Sequence, residues 1–332
     1  MKKSLLYLLA IALFFGACKK EKTTETPAAG KPGEITLTVT QNGNVVTYKA
    51  TASDAVKFIW DLGNGQTPEG AEVQGTYSFP GNYDVSCTAK GRDEDRVKVE
   101  TVNVLEGDPE IFNEVNVALS GYNAATGQSE AKWAWVNAAG TMGDGPREGV
   151  PDTVYFNPID QSWWQNGEGE LSEAALDDEY SFKLNAQMEY VNDFKDAFVI
   201  NWAWAAVRGY ATPGIWEDVE YEQYDAPAAS WSVEYIPNIN DTLTFETNIN
   251  GVMKPGAYVI HLTNKASLAM ESKAYDYQIL KLTADTLWVR FDNTFPENLA
   301  DYYDADELAN QGANPGDPDE AYVKLYNVGS KK

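Results

Sequence analysis

Apolar and polar positions alternate at a period of two along most of the chain from Glu34 onward, the spacing that turns one face of a strand into a core. Ile35-Thr36-Leu37-Thr38-Val39 opens the series, Val45 to Tyr48 follows an Asn42-Gly43 turn, and Val56 to Trp60 comes next. Arg96 to Val104 carries Val97 and Val99 on one parity and Val102 and Val104 on the other, which predicts a bulge near Thr101. Glu106-Gly107-Asp108-Pro109 breaks the pattern and marks a domain boundary. From about Ile111 the alternation resumes in Trp133/Trp135, Phe182/Leu184, Phe198/Ile200/Trp202/Trp204, Trp231/Val233/Tyr235, Leu243/Phe245 and Val259/His261. Ile279 to Leu282, Leu287 to Phe291 and Tyr322 to Tyr326 complete it. A helical stripe shows only weakly, near Ala305 to Ala309, and the Asp-, Asn-, Pro- and Gly-rich stretch Asp292 to Ala321 reads as a surface loop. The prediction is an all-β chain: a small sandwich over residues 34–105, then a larger jelly-roll-like β-sandwich of roughly ten strands over 111–330.

The start of the chain follows another logic. Lys2-Lys3 precede an apolar run from Leu5 to Phe15, too short to span a bilayer and shaped like a secretory signal over residues 1–17. It ends in Phe15-Gly16-Ala17-Cys18, which resembles the bacterial lipobox, where the cysteine is lipidated and becomes the new N-terminus. Lipid on Cys18 would anchor the protein without a transmembrane helix. Residues 18–33, polar and bearing Pro27, Gly30 and Pro32, read as a flexible tether.

Within the first sandwich, Trp60-Asp61-Leu62-Gly63-Asn64-Gly65 is similar to the W-D-F-G-D-G hairpin of PKD domains, with Leu62 for Phe and Asn64 for the second Asp. Tyr77-Ser78-Phe79-Pro80-Gly81-Asn82-Tyr83-Asp84-Val85 is similar to that family's Y-x-x-P-G-x-Y-x-V. The resemblance implies an immunoglobulin-like fold acting as a spacer. Phe58 and Trp60 share one strand face and point into its core, and Cys87 continues the parity of Tyr83 and Val85 as a small buried residue.

Composition narrows the function. The formal charge is −25, and loss of Lys2 and Lys3 with the leader takes it to −27, which repels nucleic acid, anionic lipid and polyanionic glycans. With 43% hydrophobic and 12% aromatic residues the chain has ample material for a core. Its two cysteines make no disulfide framework, and its single histidine, His261, sits as one position on a strand, which excludes zinc sites built on several histidines. No Gly-x-Ser-x-Gly elbow is present for a catalytic triad.

The second sandwich contains, in order, Lys132-Trp133-Ala134-Trp135-Val136, Gly140-Thr141-Met142-Gly143-Asp144-Gly145-Pro146, Ser162-Trp163-Trp164 and Asp177-Asp178-Glu179-Tyr180-Ser181-Phe182. Tyr277-Gln278-Ile279-Leu280-Lys281-Leu282-Thr283 with Asp285-Thr286-Leu287 adds a strand pair. On these segments it resembles a domain found after PKD modules in surface lipoproteins of Bacteroidota polysaccharide-utilisation systems. Thr141 stands where the family has His, and Gln161 where it has Pro. The resemblance implies a non-catalytic glycan-binding lipoprotein on the outer membrane, facing the cell exterior and working with an outer-membrane transporter complex; a β-glucan such as laminarin or mixed-linkage glucan is the favoured ligand.

Eight of ten tryptophans fall between Trp133 and Trp231. Flat indole faces stack on the C–H faces of neutral sugars. Trp163, Trp164 and Trp216 lie in loop-like contexts and are the first candidates for a binding face; Trp202 and Trp204, read as one strand face, are the alternative platform, with Asn201, Arg208, Gln165 and Asn166 as polar helpers. Trp60, Trp133 and Trp135 are expected in the core. Two other readings compete. A laminarinase-like glycoside hydrolase would need E-x-D-x-x-E on a strand, which Trp216 to Asp225 does not contain; Asp218, Glu220 and Glu222 read there as a solvated face. A structural or adhesive lipoprotein is the third. No cofactor is expected. Asp177-Asp178-Glu179 and the acidic loop with Asp301, Asp304, Asp306, Asp317 and Asp319 are the stretches with oxygen ligands for calcium, without EF-hand spacing.

Overall fold

The structure, a computed structural model, describes residues 30–146, 164–171, 173–238, 246–316 and 319–330. Cys18 and Trp163 lie outside the described residues. The chain forms two compact units; the first takes residues up to Thr40, 47–75 and Tyr83–Val102, and the second begins at Asn103 and includes 41–46 and 76–82.

The first unit is built from β1 (Thr36–Asn42), β2 (Val45–Thr51), β3 (Lys57–Asp61), β4 (Glu72–Thr76), β5 (Gly81–Lys90) and β6 (Asp95–Val104). They pair as two three-stranded sheets, β1-β2-β4 and β3-β5-β6. Trp60 fills the interior at 1% exposure, donating its indole N–H to the Gly70 carbonyl at 2.9 Å, with the Tyr48 ring 5.6 Å away. Cys87 faces Trp60 across the β3–β5 ladder, and burial pushes its thiol up to about 11, so it stays protonated and inert. The parity switch expected in β6 is not found: even positions face inward, Arg96 and Lys98 half-buried and Val102 and Val104 buried, while Val97 and Val99 are exposed on the outer face.

The second unit opens with α1 (Glu114–Ser120), β7 (Tyr122–Asn123), β8 (Gln128–Ser129), β9 (Trp133–Trp135), β10 (Met142–Pro146) and β11 (Trp164–Gln165). It continues through α2 (Glu173–Leu176), β12 (Glu179–Phe182), β13 (Glu189–Asp193), β14 (Phe198–Ile200), α3 (Trp202–Arg208) and β15 (Val219–Tyr221). Then come β16 (Ala229–Ile236), β17 (Glu246–Ile249), β18 (Val252–Pro255), β19 (Ala257–Leu262), β20 (Asp276–Leu282), β21 (Thr286–Asp292), α4 (Ala305–Gln311) and β22 (Asp319–Asn327). All-β architecture holds, and the sheet closes on itself: β22 pairs β9, the ladder runs β9-β12-β13-β16-β19-β20, and β21 joins β20 back to β22. Closure leaves those eight strands without a free edge. The long β22 serves two partners along one side, β10 at 319–323 and β9 at 325–327.

Trp133, Trp135 and Trp231 are buried inside, each with its indole N–H satisfied: by Leu119 O at 2.8 Å, the Tyr180 hydroxyl at 3.3 Å and Lys183 O at 3.1 Å. His261 is a strand residue on β19, bridging Asp276 at 2.7 Å and Glu234 at 3.2 Å.

Two further elements depart from the sequence expectation. Trp202 and Trp204 are on a helix, α3, not a strand. Asn201 caps it, accepting from the Ala203 N–H at 3.1 Å and the Trp204 N–H at 3.5 Å, and Gly209 ends it in the left-handed region at φ 77. Ala-rich Trp202-Ala203-Trp204-Ala205-Ala206-Val207-Arg208 between those caps favours helix over the period-two match inherited from β14. The stretch 292–321 is also more than a loop. It carries a 3-10 turn (Leu299–Asp301) and α4, capped by Asp304, which accepts from the N–H groups of Asp306 and Glu307 at 3.0 Å each. From it Phe295, Leu299, Leu308 and Ala313 form a satellite core around Trp202 and Ala203.

Trp202→Ala should therefore cost about 3–5 kcal/mol of stability by calorimetry; a loss as small as that of a surface substitution would contradict its role as the centre of the satellite core.

Candidate functional site

A cleft of about 490 Å³ opens in the second unit, inside the roughly 300–1,000 Å³ range of small-ligand sites. Trp164, Trp202 and Trp216 line it, together with the carboxylates Asp144 and Asp218 and the amides Asn201 and Asn293. A smaller cavity of about 170 Å³ shares Trp164 and Asp218 with it.

Trp164 and Asp144 are brought in by one ladder. β11 pairs antiparallel with β10, and Asp144 stands directly opposite Trp164, which sets both side chains on the same face. The Gly-rich loop makes this pairing tight. A Cβ on Gly143 would lie 2.6 Å from the Trp164 carbonyl oxygen and 2.7 Å from the Tyr322 hydroxyl, so only glycine fits. Asn166, 2% exposed, braces the loop: its Oδ1 accepts from the N–H groups of Thr141 and Met142 at 2.9 and 2.8 Å, and its amide donates to Ala138 O at 2.9 Å. Its work is structural, whereas Gln165 is exposed beside the cleft.

Trp216 is 47% exposed and Trp164 46%, an uncommon state for indoles in so aromatic a unit. Trp216 rests on Trp202 at 5.5 Å and on Phe295 at 5.4 Å between ring centroids, and donates its N–H to Gln311 O at 3.3 Å. Its φ of 69 puts a bulky residue in left-handed backbone, a strain of order 1–3 kcal/mol that persists where surrounding structure holds it and that clusters at functional sites. Trp202 forms the inner wall at 1% exposure, with no acceptor for its indole N–H among the described residues. Trp204 does not line this cleft. It lies half-buried beneath the Arg208 guanidinium, 5.0 Å from its ring centroid. Arg208 is committed elsewhere too, in an ion pair with Glu271 and a 2.9 Å bond to the Tyr275 hydroxyl.

The carboxylates were missed by sequence reasoning. Asp218, expected on a solvated face, turns into the cleft, where its Oδ1 accepts from the Trp202 N–H at 3.0 Å. Solvent reaches it through the mouth, yet protein rings it on the other sides; that desolvation raises its carboxyl above the usual range, with the Trp202 bond opposing. Asp144 is raised by burial first and by the negative charge of Asp218 second, while a hydrogen bond with Asn293 opposes. Its Oδ1 has no hydrogen-bond partner among the described residues. Asn201 and Asn293, 4% and 1% exposed, complete the polar set. Asn201 is the one helper that both lines the cleft and caps its helix.

Two of the acidic residues weighed for calcium have other uses, and Asp317 lies outside the described residues. Asp178 is fully buried, 3.0 Å from the Tyr180 hydroxyl, and burial lifts it to about 7. Asp304 is a helix cap. Among the described residues no group of three or more His, Cys, Asp or Glu is placed to hold a metal ion.

Asp144, Asp178 and Asp218 share one linkage sign. Each has a folded pKa above its unfolded value, so folding favours the proton. The stability each adds is whole below the ordinary 3.8 and fades as pH rises through the folded value, about 7 for Asp178. The melting temperature should fall as pH climbs through that window, and Asp178→Asn should flatten the slope; a melting temperature rising across it would contradict these assignments.

Residues 25–105 match the family model described as PKD domain. They are similar to the PKD1 domain from Vibrio cholerae metalloprotease PrtV, at 26% identity over 22% of this chain and 96% of that one, with a TM-score of 0.21. They are also similar to the PKD1 domain of Vibrio anguillarum Epp, at 24% identity over 24% and 96%, with a TM-score of 0.21. No curated protein matches the chain. The N-terminal part of the chain carries a PKD domain.

Proposed function

We propose that the second unit is a non-catalytic saccharide receptor and that its cleft takes sugar rings against Trp164 and Trp216. The observation carrying this is the convergence of two half-exposed indoles, a third in the wall, two carboxylates and two amides on one cleft. Indole faces offer stacking surface to C–H faces, and Asp and Asn side chains pair with hydroxyls. The acidic chain excludes polyanionic glycans. By its resemblance to surface lipoproteins of polysaccharide-utilisation systems, the protein would hang from the outer membrane on a lipid at Cys18, face the exterior, use the PKD domain as a spacer and pass glycan to a transporter complex. A β-glucan is the first polymer to test.

One observation favours a second reading. Two carboxyls with raised proton affinity in one aromatic cleft are also the equipment of glycoside hydrolysis, one as acid and one as base. Release of reducing sugar from glucan by the wild type, lost in Asp144→Asn, would favour the enzyme; its absence alongside binding favours the receptor.

Affinity gels loaded with laminarin, mannan and xylan test the receptor. Stacking on one aromatic ring is worth about 1–3 kcal/mol by analogy with bases, so Trp164→Ala and Trp216→Ala should each weaken retention about tenfold or more. Both should lower the melting temperature far less than Trp202→Ala. Retention unchanged in both variants would show that this face is the wrong one, and retention by residues 34–105 alone would reverse the spacer assignment. Membrane fractionation checks the anchor: Cys18→Ala should leave the outer-membrane fraction, and a variant that stays there would sink the lipidation proposal.

A further inference from the structure

Asp144 and Asp218 face one another's field in a cleft whose other walls are largely indole, and among the described residues no lysine or arginine lines it. Two carboxylates lining one cleft without a counter-charge repel one another, and neither a hydroxyl nor a C–H face supplies the opposite charge. A cation does. Indole faces attract cations as well, through the negative face of the ring, and Trp164 and Trp216 present such faces beside the two carboxylates. A third feature lies in the same wall: Trp202, 1% exposed, has an indole N–H with no acceptor among the described residues, and Asp144 Oδ1 is likewise buried without a partner. The polar equipment of the cleft is thus unsaturated from within.

We infer that the cleft takes a saccharide bearing a free ammonium group, an amino-sugar unit seated with its amine against Asp144 and Asp218 and its ring against Trp164 and Trp216. This rests on the saccharide-receptor reading and names the ligand class within it. The chemistry separates an organic ammonium from a metal ion. Calcium takes six to eight oxygen ligands, whereas this cleft gives two carboxylates among aromatic walls, and no larger acidic group is placed to help among the described residues. An ammonium needs only a few acceptors and gains from the rings. The charge of −25 over the whole chain draws cations toward the mouth and keeps anionic sugars away. An N-acetylated sugar has lost the charge and leaves the carboxylates as they were.

Isothermal titration of the full chain at neutral pH and low salt tests this with three probes of equal length: a glucosamine oligomer, its N-acetylated counterpart and a β-glucan oligomer. The glucosamine oligomer should bind about tenfold tighter than either neutral probe. Asp144→Asn and Asp218→Asn should each erase most of that preference, measured as the ratio of affinities within one variant. Trp216→Ala should weaken the glucosamine oligomer as well. Equal or weaker binding of the glucosamine oligomer, with β-glucan bound through Trp216, would overturn the ammonium inference and leave the receptor standing. Glucosamine binding that survives Trp216→Ala and vanishes with added salt would be diffuse attraction to an acidic surface, and would overturn it too. Failure of all three probes to bind the wild type would overturn both. The wild-type ratios decide the matter even where a variant does not fold.

Discussion

The burial of Trp202 is the constraint on which the cleft depends. Its ring is enclosed by Phe295, Leu299, Leu308 and Ala313 on one side and supports Trp216 on the other. Its own backbone N–H is held by Asp218, and the preceding residue, Asn201, caps the helix that carries it. One residue therefore joins the satellite core, an exposed indole and a carboxylate of the cleft. Without that core, the strained backbone of Trp216 would have nothing to hold it, and the cleft would lose a wall and a ring together.

The opposite wall is held by different means. There the β10–β11 ladder sets Asp144 across from Trp164, Gly143 makes the close approach, and Asn166 ties the loop with three backbone bonds. A closed ring of strands beneath supplies rigidity that a free-edged sheet would lack. That base holds Asp144 where the negative charge of Asp218 acts on it, an arrangement that costs stability.

Much of this was legible in the sequence. The W-D-L-G-N-G and P-G-N-Y segments, with Trp60 and Cys87 in phase, marked the first sandwich, whereas the valines of β6 misled, because Val97 and Val99 lie on its exposed face and Arg96 and Lys98 take the inward positions. Exposure of Trp164 and Trp216 was foreseen from their loop contexts. Misreadings arose where short-range pattern and tertiary need disagree. Phe198, Ile200, Trp202 and Trp204 alternate without a break, yet the chain changes from strand to helix at Asn201; a cap residue before an Ala-rich run and Gly209 after it were the available signal. Asp144 and Asp218 are far apart in sequence; Asp144 sits between two glycines of a loop-like run, and Asp218 follows Glu217 in an acidic one. Only the folded ladder and helix reveal them as a pair. Phe295, Leu299 and Leu308 were hidden in a stretch whose composition says loop because its helix is a single capped two-turn element.

The most direct test is to follow the ten indole N–H signals by nitrogen-15 NMR as a saccharide is added, using a β-glucan oligomer and a glucosamine oligomer in turn. Trp164, Trp202 and Trp216 should shift together with one apparent affinity, while Trp60, Trp133, Trp135 and Trp231, sealed in their cores, stay in place. Shifts confined to other indoles, with those three unmoved by a saccharide that binds, would contradict the assignment of the cleft.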